Sequence, residues 1–344
     1  MLSFLDIGAA GLLALVISVV DARGLYSPDV DEAVSMLNRN RHLKEPQSLL
    51  SHFVNPLLPM LICDWHYGGE PDTDGENNFS GSIVTRPLNT SNVRNVQPCE
   101  SMCVDVTAFE SFVSTVLPLL EVKVLLFTHR WTLPALIKSS LTDAVRVHHH
   151  VAHWFAQNPL YTEDERYSAF PYGIKPSALQ SFGEAFLTYH QGNKPKLQTL
   201  EHLHISATHP SRHRIIARSE DASKHAWLQG PAFYKSIANT QFLISPRGDR
   251  PDCYRHWEAI GLGAIPVANI NSSLYGPLFG NDMLYVDEAD HMLELLDNPR
   301  KLADRYQAPL SHRVLTTFWS KKVVGEQRRC RDSLSGSQGV LLPP

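Results

Sequence analysis

The chain has 344 residues, enough for about two domains at ~150 residues each. Hydrophobic residues make up 43% and charged residues 19%, a globular composition that excludes general disorder and collagen-like repeats. Lys and Arg total 31 against 35 Asp and Glu, a net charge of -4, which argues against a nucleic-acid-coating surface and confines basic character to local sites.

Residues 7–20 are fourteen apolar or small side chains without a charge. That length suits a signal-peptide core better than a bilayer span of ~20 residues. Extension to residues 2–20 reaches span length but places Asp6 in the bilayer, and no Lys or Arg precedes the stretch. Residues 1–22 therefore read as a signal peptide or a signal anchor, with a buried N-terminal helix as a third reading. Three sequons, at Asn78, Asn89 and Asn271, fit a lumenal chain, and two of them fall in the polar, Asn/Gly/Pro-containing stretch 72–97. Asp72 and Asp74 in that stretch read as solvated loop acids. In a lumen, Cys63, Cys99, Cys103, Cys253 and Cys330 would form two disulfides with one thiol left over, in a pairing the sequence does not specify.

From residue 57 onward, apolar runs of strand length alternate with helical spacing. Expected strands are 57–64, 123–128, 146–151, 203–207, 241–245, 265–268 and 283–286. Expected helices are 107–120, 133–141, 176–189 with Pro176 in its first turn, 211–219, 253–262, 289–296 and 310–324. Residues 325–344 read as a loose tail. Alternation of this kind predicts parallel sheet between helices, in two α/β units joined near 170–196. Two such units place a ligand cleft at the carboxyl ends of their strands.

The stretch 241–268 carries the chemistry. An apolar strand enters the loop 246–252, Asp252 is placed to N-cap the next helix, and Gly261 and Gly263 precede a second apolar strand. Amides at the helix start make an anion site, and Gly248 allows a ligand close to the backbone. Arg255 in the first turn and Glu258 three residues on share a face. An arginine beside a helix N-terminus suits a diphosphate, and the carboxylate a turn further suits sugar hydroxyls. An ordinary surface helix with an Arg–Glu pair has the same spacing.

Ser245-Pro246-Arg247-Gly248, Asp252, Arg255, Trp257-Glu258-Ala259 and Gly263-Ala264-Ile265-Pro266-Val267 together resemble the nucleotide-sugar-binding signature of exostosin-like glycosyltransferases. Cys253-Tyr254-Arg255 is also similar to the wording in ribitol xylosyltransferase-like members. Phe170-Pro171-Tyr172-Gly173-Ile174 resembles the turn leading to the family's second domain, and the stretch from His204 to Arg214 resembles the strand and basic turn that open it. The likeness covers about 157–306 and is weak or absent over the N-terminal half.

The resemblance implies a GT-B-like α/β fold, two Rossmann-like domains facing a central cleft: an acceptor-side domain at 23–172 and a nucleotide-sugar-binding domain at 173–324. It implies an inverting, membrane-anchored or secreted transferase of the Golgi or ER lumen, acting on a glycan or glycoprotein acceptor. By matching position, Arg255 holds the diphosphate, Glu258 the ribose or donor sugar, and Arg247 and Gly248 the donor loop; Arg214 is a second phosphate candidate. No metal is expected, because basic side chains and a helix dipole stabilise the leaving diphosphate. The acceptor base is expected in the N-terminal domain. Asp64 and His66 are its candidates, at the end of the expected strand 57–64, and His129 is their rival.

His148-His149-His150 with His153 look like a metal cluster, but in an expected strand neighbouring side chains alternate faces. There is no Gly-x-Ser-x-Gly elbow, Walker loop or Gly-x-Gly-x-x-Gly fingerprint. The competing function is a sugar-binding or scaffold protein that keeps the fold without catalysis.

Overall fold

The computed structural model of the protein describes residues 35, 52–68, 85–130, 133–192, 196–201, 209–218, 228 and 230–336. The apolar stretch 7–20, Asp72, Asp74, the Asn78 sequon and the expected strand 203–207 lie outside the described residues.

Two parallel sheets organise the chain. The first comprises β1 (Trp65–Tyr67), β2 (Arg86–Pro87), β3 (Ser101–Asp105), β4 (Val124–His129), β5 (Val151–Gln157) and β6 (Tyr167–Phe170), in the order β2-β1-β3-β4-β5-β6. The second comprises β7 (Gln198–Glu201), β8 (Thr240–Ile244), β9 (Ile265–Ala268) and β10 (Leu284–Tyr285), in the order β10-β9-β8-β7. Every neighbouring pair is parallel, so each sheet gathers its carboxyl ends on one edge. β4 is buried along its whole length, which is why it reads as an apolar run rather than an alternation. The mixed α/β class is as expected.

Several elements differ from expectation. The stretch 57–64 is not a strand: Leu58–Ile62 is a helix with proline in its first turn, where the fixed φ of Pro59 is already helical. The strand β1 starts only at Trp65. Residues 134–139 are irregular, and the helix there is Ser140–Val147, opened by a reciprocal capping box between Ser139 and Thr142. The strand expected at 146–151 begins at Val151, so His148, His149 and His150 precede it in a turn, with the His149 and His150 rings 3.9 Å apart.

The expected tail is helical as far as Gly336, within the 21-residue helix Thr316–Gly336. Tertiary contacts hold it. Cys330 is disulfide-bonded to Cys99, buried Glu326 lies 3.5 Å from His153, and Lys322 pairs with Glu163. These outweigh the helix-weakening preference of Gly325. A second disulfide joins Cys63 to Cys103, leaving Cys253 as the free thiol.

One aromatic core runs through both sheets. Phe127 and Phe155 stack at 4.6 Å across β4 and β5. Trp319 of the last helix lies 6.1 Å from Phe170 on the first sheet's edge strand and 6.1 Å from Trp257 beside the second sheet. Between the sheets the chain turns at Gly173, whose φ is +82°. A Cβ there would stand 2.2 Å from the Val54 carbonyl oxygen, which accepts a 2.8 Å hydrogen bond from the Ile174 amide. Only glycine permits that approach.

Candidate functional site

A cavity of about 270 Å³ opens where the carboxyl ends of the two sheets meet. Asn158, just beyond β5, contributes from the first sheet. Arg247 and Asn269, beyond β8 and β9, contribute from the second. The Arg247 backbone amide donates to Asn269 Oδ1 at 3.0 Å, while its Nε is buried with no hydrogen-bond partner among the described residues. The cavity also reaches Asn271, whose side chain caps the helix Ser272–Phe279.

The loop 246–252 is held from both sides. Arg212, on the helix Pro210–Arg218, donates from Nε to the Arg247 carbonyl at 2.9 Å and from Nη2 to the Pro246 carbonyl at 3.2 Å. A Cβ on Gly248 would meet Arg212 Nη2 at 2.8 Å, so the glycine makes room for this clasp. On the other side, Arg250 donates to the Arg130 carbonyl at 2.6 Å and lies 5.0 Å above the Tyr172 ring. Tyr172 in turn stacks on Tyr254 at 4.9 Å.

Two expected donor residues stand elsewhere. Arg214 is exposed and pairs loosely with Asp290 at 3.4 Å; Arg212 occupies the place expected of it. Residues two apart on a helix point about 200° away from each other, so only one can face the loop. Asp252 does not cap the helix Tyr254–Gly261; the N-cap is Cys253, without a side-chain bond. The Asp252 carboxylate is wholly buried and accepts from Trp257 Nε1 at 2.7 Å and from the Tyr172 amide at 2.8 Å. Burial pushes its pKa up to about 7, with nearby His256 opposing. His256 receives the Ser245 hydroxyl at Nδ1 (2.7 Å), because its Nε2 must donate to the Pro251 carbonyl at 3.1 Å. Burial holds His256 down at about 4, hence neutral.

Arg255 and Glu258 share one face of the helix Tyr254–Gly261, but neither lines the cavity. Glu258 is buried and accepts from the Tyr234 hydroxyl at 3.1 Å, and the Arg255 guanidinium lies 5.6 Å from the Phe233 ring. Burial raises the Glu258 pKa while Arg255 opposes the shift. Burial likewise lowers Arg255, with Glu258 opposing and Arg212 adding repulsion. Burial also lowers His209, which in addition feels Arg247 and Arg212. Four arginines, Arg212, Arg247, Arg250 and Arg255, and His209 thus stand on or around the loop and the start of the helix.

On the first sheet, Asp64 sits at the amino end of β1, the far edge from the cavity, because the strand begins later than expected. Its carboxylate accepts from the Ser101 amide at 2.9 Å and the Ser101 hydroxyl at 2.8 Å, fastening β1 to β3. His66 and His129 lie closer to the carboxyl edge, with rings 5.6 Å apart. Nε2 of each is buried and has no hydrogen-bond partner among the described residues. Burial lowers the His66 pKa, and burial with His66 beside it lowers His129 to about 3; Asp105 opposes both shifts. The Asp105 carboxylate caps its own turn through the Thr107 amide and pairs with Arg130 at 2.9 Å.

Arg212, Arg250 and Asn158 are the residues the sequence reading missed. Arg212 stands in a basic run, yet only the helix phase separates it from Arg214. Nothing in the sequence marks Asn158 or the reach of Arg250 across to Arg130. No family model matches the chain, and no curated protein sequence matches it either.

Proposed function

We propose that the protein is an inverting glycosyltransferase of GT-B-like arrangement, moving a sugar from a nucleotide-sugar donor to a hydroxyl of a glycan or glycoprotein acceptor. Its setting is the lumen of the ER or Golgi, with residues 1–22 serving as signal or anchor. The observation that carries the reading is the meeting of the Arg247–Gly248 loop with a cavity at the carboxyl edges of two parallel sheets, where α/β proteins bind ligands.

In this reading the donor diphosphate lies along the loop 246–252 and the start of the helix Tyr254–Gly261. Arg247, Arg255 and the helix dipole stabilise the negative charge that grows on the departing diphosphate, so no bound metal is required. Glu258 lies behind the cavity, accepting from the Tyr234 hydroxyl and attracting the Arg255 guanidinium electrostatically. The acceptor oxygen bonds to the anomeric carbon from the face opposite the diphosphate. The carbon–phosphate oxygen bond breaks, its electron pair leaves with the nucleoside diphosphate, and the acceptor proton passes to His66 as general base.

A donor screen tests this. The purified lumenal portion, offered UDP- and GDP-sugars, should release the nucleoside diphosphate from at least one. Binding of no nucleotide sugar would refute the transferase reading.

A further inference from the structure

We infer that the cavity between the sheets is a subsite for a single hydroxyl-bearing sugar ring, with Asn158 accepting a hydrogen bond from one ring hydroxyl. The inference rests on the glycosyltransferase reading and deepens it.

Asn158 follows β5 directly, lines the cavity and is only 6% exposed. Its Oδ1 is buried and has no hydrogen-bond partner among the described residues. The neighbouring carboxamides are differently placed. Gln157 accepts from the Arg130 amide and donates to the Pro171 carbonyl. Asn269 Oδ1 takes the Arg247 amide, and Asn271 Oδ1 caps a helix. An unsatisfied buried acceptor beside a cavity that also carries Arg247, Asn269 and Asn271 is what a ligand donor completes. The backbone supports a positioning duty: Asn158 has φ +57°, a left-handed conformation that asparagine tolerates better than most residues. Across the same cavity, Arg247 Nε is an unpartnered donor.

Size and lining narrow the occupant. At about 270 Å³ the cavity falls below the ~300–1,000 Å³ of typical ligand pockets, so it takes one ring rather than an oligosaccharide. Leu136, Leu160 and Leu274 supply an apolar wall for the C–H face of a ring, while Asn158 and Arg247 meet its hydroxyl edge. That ring comes either from the donor or from the acceptor terminus.

Two variants test it. Asn158→Gly removes the acceptor and suits the left-handed backbone, so the fold is kept. Asn158→Asp retains an acceptor oxygen. Wild type and both variants are titrated with UDP and GDP, with UDP- and GDP-sugars, and with methyl glycosides as acceptor probes. Asn158→Gly should bind UDP or GDP like wild type but lose about tenfold in affinity for the sugar ligand, the loss of one hydrogen bond to a buried partner, with most of it regained in Asn158→Asp. A loss confined to nucleotide sugars assigns the ring to the donor; one confined to methyl glycosides assigns it to the acceptor. Wild-type affinity of Asn158→Gly for every sugar ligand overturns the subsite and leaves the transferase reading standing. A wild-type protein that binds no nucleotide and no nucleotide sugar overturns both.

Discussion

Arg250 donates from Nη1 to the backbone carbonyl oxygen of Arg130 at 2.6 Å, joining the loop after β8 to the end of β4. One side chain thereby fixes the carboxyl edge of the second sheet against that of the first. Arg250 is 6% exposed, and its loss leaves the part-buried Arg130 carbonyl without this donor. Arg250→Ala is expected to cost about 1–3 kcal/mol in denaturant unfolding. Wild-type stability in that variant would show that the bridge does not hold the two edges.

Arg212 and Arg214 provide a paired comparison on one helix. Arg212→Ala removes both clasps on the loop carbonyls and should weaken nucleotide binding. Arg214→Ala breaks only an exposed pair worth about 0–1 kcal/mol and should leave binding and stability near wild type. Titration of both variants with UDP and GDP checks the contrast; the reverse order of effects would restore Arg214 to the site.

His129 makes folding acid-sensitive. Its folded pKa, about 3, lies below the ordinary histidine value of ~6.5, so the unfolded chain binds the extra proton between those limits. Stability from this residue is therefore full above pH ~6.5 and is lost as pH falls toward about 3. Buried Asp252, raised to about 7, acts in the opposite sense and lowers stability as pH rises from ~4 to about 7. Comparing wild type with His129→Gln isolates the histidine contribution: the variant should lose less stability than wild type between pH 6.5 and 4. Parallel pH profiles would show that His129 is not held neutral by the fold.

The Cys99–Cys330 disulfide fastens the last helix across a sequence separation of 231 residues. Cys330→Ser should lower stability by about 2–5 kcal/mol and expose the end of the helix Thr316–Gly336 to proteolysis. Unchanged cleavage under native conditions would mean that Trp319 and Glu326 suffice to hold it.

Legibility followed local punctuation. The expected strand 265–268 coincides with β9, and the strand and helix before it lie within a residue or so of expectation, because Pro246, Gly248, Gly261 and Gly263 break the pattern clearly. The short apolar run 57–64 fits helix and strand equally, and Pro59 with the turn at Asn55 decides for helix. That one change moves Asp64 from the cleft edge to the far end of β1. Asp252 looks like an N-cap locally, but its partners Tyr172 and Trp257 claim the carboxylate. Helix 316–336 outlasts its glycine because Cys330 and Glu326 find partners more than a hundred residues away in sequence, which no window of the chain contains.

Equilibrium titration of nucleotide sugars into wild type and Arg247→Ala is the most direct measurement. Saturable binding of at least one UDP- or GDP-sugar by wild type is predicted, weakened about tenfold or more in Arg247→Ala at unchanged melting temperature, as expected for a lost charged hydrogen bond to phosphate. No binding by wild type, or equal affinity in the two proteins, would contradict a donor site built on this loop.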